Sequence, residues 1–328
     1  MSPPRVVALS YDVNEDYAAI NSAVLGADAD LAFLQQRPEG ERAALLARAN
    51  AVIGWNPPRE LPDGALKQAR ELRFVQLLSA GADSVDFRAI PESVVLAGNV
   101  GAYSRPIAEH VVAMTLALAR RLPQRHADLA LGDFNQSDRL ITLDGAVCAI
   151  LGYGGIGRAT AALMRPFGAR IHAVNSSGQV AEPVEFTGTL ADLDQVLAAA
   201  DVLVIALPLT SATRGLIGAR ELSLMKPTAI LVNVARGAIV DEQALYWHLA
   251  ENPQFCAGID VWWHEPRAGS GFRTNFPFFD LPNVIGSPHN SSIVPGVLRH
   301  AARMAAENVR RFLRDEPVTG VMNPRDYL

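Results

Sequence analysis

A chain of 328 residues is long enough for two domains, and a hydrophobic content of 49% supplies two cores. The formal net charge of −5 leaves no general basic field for a polyanion, which argues against nucleic acid as a partner. Two cysteines, Cys148 and Cys256, make neither a disulfide framework nor a metal cluster; they read as buried small hydrophobes and suit a reducing cytoplasm.

Arg5 is followed at once by the strand-like Val6-Val7-Ala8-Leu9, without the long apolar region and cleavage site of a secretory signal. The longest apolar helix candidate, Val111 to Ala119, is too short to cross a bilayer, so no membrane partner is expected. From Arg5 to about Asn99, strand candidates fall at Val6 to Leu9, Leu31 to Leu34, Ala51 to Ile53, Phe74 to Leu78 and Val94 to Leu96. Helical stretches at Asp16 to Leu25, Glu39 to Ala49 and Gly64 to Ala69 alternate with them, which predicts a small parallel sheet covered on both faces. Beyond the fourth strand, Ser79-Ala80-Gly81-Ala82 reads either as a loop whose exposed amides hold a carboxylate or as a plain left-handed turn at Gly81.

Ser104-Arg105-Pro106 opens a long helix that is apolar on almost every side from Ala108 to Arg121, as expected of a helix buried between domains or subunits. The more polar His126 to Leu140 is expected to reach outward. A second α/β unit begins at Val147, with strands at Ile171 to Val174, Val202 to Ala206, Ile230 to Val234, Ala257 to Val261 and Val284-Ile285. Its helices are expected at Asp192 to Ala199, Ala219 to Met225 and Asp241 to Ala250, giving a second doubly wound sheet. A last helix, Pro295 to Arg314, can return to the first domain.

The apolar run Val147 to Leu151 leads straight into Gly152-Tyr153-Gly154-Gly155-Ile156-Gly157, after which the spacing is helical. Gly152 permits the tight turn, Gly154 lets backbone approach a pyrophosphate, and Gly157 lets helix pack on strand, so a dinucleotide is the expected guest. An acidic residue should follow about 20 residues on to hold the adenosine ribose; the chain has Asn175-Ser176-Ser177 instead. Without that carboxylate a 2′-phosphate is not repelled, and an amide with two hydroxyls can donate to one, which favours NADP mildly over NAD; Arg158 is a candidate to help.

Ligands of open α/β sheets bind beyond the carboxyl ends of the strands. Arg236, Glu265 and His289 all fall at such ends in the second unit. Arg236 offers a fork to a carboxylate, His289 is a side chain that can both give and take a proton, and Glu265 would orient the ring and favour imidazolium. Singly each has a bland reading as a loop charge or a surface turn; their coincidence is what points to proton-coupled chemistry. His264 is a rival base.

Several ordered motifs resemble the D-isomer-specific 2-hydroxyacid dehydrogenases, NAD(P)-linked enzymes that interconvert 2-oxo and D-2-hydroxy acids. They are the glycine turn, Leu207-Pro208-Leu209-Thr210, Asn233-Val234-Ala235-Arg236-Gly237, Gly258-Ile259-Asp260-Val261 with Glu265-Pro266, Ser287-Pro288-His289, and Ala108-Glu109-His110 on the crossing helix. The resemblance implies a Rossmann-type cofactor domain, 101–289, inserted into a flavodoxin-like substrate domain made of 1–100 and 290–328. It implies that Arg236 binds substrate, that His289 is the acid/base with Glu265 as partner, and that Asp260 lies near the nicotinamide. Leu207, Pro208, Val234 and Ala235 then join the cofactor site, and Ser79, Ala80 and Gly81 take the substrate carboxylate. A homodimer and a 2-oxoacid reductase acting on glyoxylate, hydroxypyruvate or a bulkier acid are expected, with no metal. Glu265 stands where formate dehydrogenases of this fold have Gln, which disfavours that chemistry; a cofactor-sensing corepressor is the other alternative. The aromatic stretch from Trp262 to Phe279 is longer than the family leads one to expect, and reads as a packed surface loop or a wall of the substrate pocket.

Overall fold

The structure, a computed structural model, describes residues 5–138, 140–266 and 271–327. The chain divides into two compact units, Met1–Tyr103 with Val294–Leu328, and Ser104–Ile293.

The first unit runs β1 (Val6–Leu9), α1 (Glu15–Leu25), β2 (Asp30–Phe33), α2 (Glu39–Ala47), β3 (Ala51–Gly54), the single turns α3 (Pro57–Glu60) and α4 (Ala65–Gln68), β4 (Phe74–Leu77) and β5 (Val95–Ala97). All five strands are parallel in the order β2-β1-β3-β4-β5, the flavodoxin-like winding. Strand alternation with both faces covered explains why β1 is apolar throughout: Val6 and Ala8 join a core with Leu46 and Leu66, while Val7 and Leu9 face one with Val24 and Leu25.

The second unit opens with α5 (Ser104–Ala119) and α6 (Leu122–Ala130) and continues through β6 (Val147–Leu151), α7 (Gly155–Met164), β7 (Arg170–Val174), β8 (Phe186–Gly188), α8 (Leu193–Ala199) and β9 (Val202–Ile205). It closes with α9 (Ala219–Leu224), β10 (Ile230–Asn233), α10 (Glu242–Glu251), β11 (Cys256–Ile259) and β12 (Val284–Gly286). Its seven parallel strands are ordered β12-β11-β10-β9-β6-β7-β8, so the winding reverses between β6 and β9, where a dinucleotide is expected. Helix α5 packs on α7, β10 and β11. Gly258 allows this approach, since a Cβ there would lie 3.0 Å from Met114 Sδ. The chain then returns to the first unit as α11 (Val297–Leu313), whose Ala305, Ala306 and Val309 pack beside α1 over β3 and β4.

The elements depart from the sequence expectations in a few places. The polar stretch after the crossing helix begins earlier, at Leu122, because Pro123 fits a first helical turn, and it ends sooner, with Gly132 in the left-handed region at φ 87. It buries no residue, and Leu131 and Phe134 are left 87% and 73% exposed. Gly81 is not among the positive-φ glycines, so the left-handed turn at that position is not formed. Both cysteines are buried, and burial pushes the Cys148 thiol up to about 12. Among the described residues no helix is long and apolar enough to cross a membrane, and no group of three His, Cys, Asp or Glu is placed to hold a metal ion.

Candidate active site

The turn from β6 to α7 is built by missing side chains. Gly152 has φ 97, and a Cβ there would run into the Ala206 carbonyl at the end of β9. A Cβ on Gly157 would collide with the Gly152 carbonyl and press on Ile150, which fixes how closely helix meets strand. At Gly154 a Cβ would meet nothing within 4 Å, so this backbone faces open space. Gly152 and Tyr153 both donate their amides to Val174 O at 2.9 Å. Gly154 caps α7 without a side-chain hydrogen bond, which leaves the N–H groups of Gly155, Ile156 and Gly157 without intrahelical acceptors. Open backbone, uncapped amides and a positive helix end together fit a pyrophosphate.

Asn175 is largely engaged within its own loop. Its Oδ1 accepts from the amides of Ser177 at 3.0 Å and Gly178 at 2.7 Å, and its Nδ2 donates to Gln179 O at 2.7 Å. The side chain therefore builds the turn, as short amides do in loops, with one of its two Nδ2 hydrogens spent on Gln179. The Ser177 hydroxyl joins the same turn through Asn175 Oδ1 and Gln179 O, while Ser176 is exposed. Arg158 is paired with Glu182.

The three chemically apt residues meet at one edge of the second sheet. Arg236 follows β10, where Asn233 Nδ2 donates to its carbonyl at 3.0 Å and its own Nη1 donates to Ala235 O at 2.6 Å. Gly237 lets this loop lie directly on the next one, since a Cβ there would sit 2.5 Å from the carbonyl carbon of Trp262. Glu265 is fixed by both oxygens: Oε1 accepts from the Trp262 amide at 3.0 Å, and Oε2 accepts from His289 Nδ1 at 2.8 Å. Burial alone would raise the Glu265 pKa. The His289 hydrogen bond, the Trp262 amide and the charges of His289 and Arg236 outweigh it and hold the carboxyl below its ordinary value. Since a carboxylate can only accept, Nδ1 carries the proton and Nε2 is the ring atom left for a reactant. His264 is turned elsewhere, with Nε2 2.9 Å from Asn275 Nδ2 and 4.0 Å from Glu242 Oε2.

Asp260, at the end of β11, is fully buried. Its Oδ1 accepts from Ser287 Oγ at 2.5 Å and from the Asn290 amide at 3.2 Å, and its carbonyl accepts from the His289 amide at 2.8 Å. Oδ2 has no partner among the described residues, a buried acceptor available to a bound nicotinamide amide. Two contributors were not assigned a role from the sequence. His110 Nε2, on α5, lies 2.9 Å from Ser287 Oγ. Trp262 donates its indole N–H to Ser287 O at 2.9 Å and lies against Gly286, where a Cβ would be 2.6 Å from Cζ2. Part of the aromatic stretch is thus core: Trp262 and Phe278 are buried and their rings meet edge to face, while the half-exposed Phe272 and more exposed Phe279 cover Trp262. Residues 267–270 of that stretch lie outside the described residues.

Around this edge, Val234 and Ala235 are buried, and the Leu207-Pro208 loop is braced by Thr213, whose hydroxyl donates to Pro208 O at 2.6 Å. In the first unit, the loop holding Ser79, Ala80 and Gly81 follows β4. Ser79 Oγ donates to Gly81 O at 2.9 Å, and Tyr103 Oη and Asn99 Nδ2 both donate to Leu78 O.

Residues 112–291 match the family described as D-isomer specific 2-hydroxyacid dehydrogenase, NAD binding domain. Glyoxylate/hydroxypyruvate reductase B of Pectobacterium carotovorum subsp. carotovorum is 34% identical over 287 residues, covering 85% of this chain and 87% of that protein. D-3-phosphoglycerate dehydrogenase of Methanocaldococcus jannaschii is 31% identical over 262 residues; the match takes in 79% of this chain and 49% of that one, so the chain spans about half its length. A D-isomer specific 2-hydroxyacid dehydrogenase from Xanthobacter autotrophicus Py2, solved in complex with NADPH and MES, superposes with a TM-score of 0.78 at 25% identity, covering 99% of this chain and 100% of that one. With two parallel doubly wound sheets, a glycine cradle and a His–Glu pair beside an arginine, the chain belongs to the D-isomer specific 2-hydroxyacid dehydrogenase family of nicotinamide-dependent oxidoreductases.

Proposed function

We propose that this enzyme works as a reductase of small 2-oxo acids, of the glyoxylate and hydroxypyruvate kind or bulkier, with NADPH favoured over NADH. The observation that carries the reading is the 2.8 Å bond from His289 Nδ1 to Glu265, which leaves Nε2 facing outward at the edge that also holds Arg236. A bound reduced nicotinamide would supply the hydride to C2 of the acid. Arg236 takes the developing alkoxide into its fork, His289 delivers the proton from Nε2, and Glu265 stabilises the ring's charge and fixes its tautomer. Ser79, Ala80 and Gly81 are assigned to the substrate carboxylate. Gly152 to Gly157, Leu207, Pro208, Val234, Ala235 and Asp260 are assigned to the cofactor.

The preference for NADPH rests on the missing carboxylate at position 175, with Ser176 and the second Nδ2 hydrogen of Asn175 as donors to the 2′-phosphate. Loss of absorbance at the reduced nicotinamide band, followed with each cofactor against glyoxylate, hydroxypyruvate and phenylpyruvate, tests both parts. Turnover with NADPH above NADH supports the reading, turnover preferring NADH removes the cofactor assignment, and silence across the panel with tight cofactor binding favours a sensor. A homodimer is proposed as well, formed by the exposed apolar side chains Leu122, Leu129, Leu131 and Phe134; a monomer in sedimentation equilibrium would remove it.

A further inference from the structure

His289 carries a backbone conformation that residues with a Cβ rarely adopt, φ 52 in the left-handed region. Such a conformation persists only where the surroundings over-determine it. Beside the Glu265 bond to the ring, Asp260 grips the backbone of this turn at two points: its carbonyl holds the His289 amide and its Oδ1 holds the Asn290 amide. The carboxylate rotamer that reaches Asn290 is in turn selected by Ser287, at 2.5 Å. A hydroxyl has one proton; because Ser287 gives it to the acceptor-only carboxylate, its oxygen must accept from His110 Nε2–H at 2.9 Å. A directed chain therefore runs from α5 through Ser287 to Asp260 and ends on the turn that presents His289.

We propose that Ser287 and His110 are positioning residues for His289, acting through Asp260 without touching the reactants. This rests on the reading of His289 as the proton donor. Losing the Ser287 hydroxyl frees the buried carboxylate to rotate away from Asn290, and the left-handed turn relaxes. The acid/base nitrogen then spends less time aligned, which lowers the rate of the chemical step, while Arg236 and the loop assigned to the 2-oxo acid carboxylate stay in place and its KM changes little.

The test compares Ser287→Ala with Ser287→Thr, and His110→Phe with His110→Gln, whose amide can keep a donor near the place of Nε2. Steady-state rates are measured with the preferred cofactor, and hydrogen exchange across residues 287–290 is measured in the protein without substrate. Ser287→Ala is expected to lower kcat roughly tenfold or more, the scale of one hydrogen bond to a charged group, with KM within about twofold and faster exchange at 289 and 290. Ser287→Thr and His110→Gln are expected to restore both readouts, and His110→Phe to follow Ser287→Ala. Unchanged kcat in Ser287→Ala, an effect confined to KM, or a threonine variant as impaired as the alanine one overturns the proposal. If Ser287→Ala does not fold, the two His110 variants decide by the same criteria. If the native enzyme turns over no 2-oxo acid, the reductase reading fails by itself; the exchange measurement still decides the positioning, and unchanged protection at 289 and 290 overturns it.

Discussion

Two regions along the carboxyl ends of the same sheet make their sites by opposite means. After β6 the chain makes a site by removing side chains: Gly152 turns where no Cβ fits, Gly154 faces open space, and Gly157 closes helix on strand. After β10, β11 and β12 it adds them, and Arg236, Asp260, Glu265 and His289 hold one another by hydrogen bonds and charge. The first is a local object, complete within about a dozen residues. The second is assembled from loops brought together only by strand pairing. It follows that a substitution in the cradle damages binding and folding together, whereas one at His289 separates catalysis from both.

That separation is sharpest at His289. In His289→Ala, kcat for 2-oxo acid reduction should fall about 10²–10⁴-fold, with cofactor affinity and melting temperature nearly native. Arg236→Ala should fall comparably and also raise KM, because the fork serves ground state and transition state alike; near-normal rates in either variant remove the assignment. Gly157→Ala should behave in the opposite way. Its Cβ meets backbone carbonyl and the Ile150 side chain, so overpacking should cost about 1–3 kcal/mol of stability and weaken NADPH binding before any effect on chemistry is seen. Chemical denaturation and fluorescence titration of the two variants side by side would expose a failure of the distinction.

Glu265→Gln is expected to have a smaller effect, roughly tenfold on kcat, since an amide can still orient the ring but no longer stabilises its charge. The carboxyl is held below its ordinary value of 4.5 in the folded enzyme. Its contribution to stability is therefore fully present above that value and is lost as pH falls through the lower, folded value. The stability difference between native enzyme and Glu265→Gln should accordingly be constant from neutral pH to about 5 and shrink below the carboxylate range. A difference that grows with acid would contradict the sign.

The two regions also differ in how much of each can be read from the sequence. The apolar run into spaced glycines announces the cradle because its parts are contiguous. Strands β1 and β3 of the first unit announce themselves because both faces of that sheet are covered, leaving them apolar along their whole length. Arg236, Glu265 and His289 are legible as positions, each at a strand's carboxyl end, but their bonds are not. His110 and Ser287 are 177 residues apart, and no spacing rule links them. Trp262 reads as an aromatic surplus until its amide and indole are seen to hold Glu265 and Ser287. The edge strand β8, only three residues of Phe-Thr-Gly with mixed burial, has too little pattern to stand out.

The adenosine end of the cradle gives the smallest effect and tests how local that region is. Asn175 is largely spent on its own turn, so cofactor choice depends also on charges arriving from elsewhere. Arg158, 57% exposed on the first turns of α7, is a candidate cation, and Glu182 holds it in an ion pair that neutralises the guanidinium. Glu182→Gln should release Arg158 and raise the ratio of kcat/KM with NADPH to that with NADH by about two- to fivefold, the scale of an exposed ion pair. The gain should fade at high salt, because the interaction is between exposed charges. An unchanged ratio would mean that Arg158 does not reach the ribose, and that Asn175 and Ser176 meet the phosphate without it.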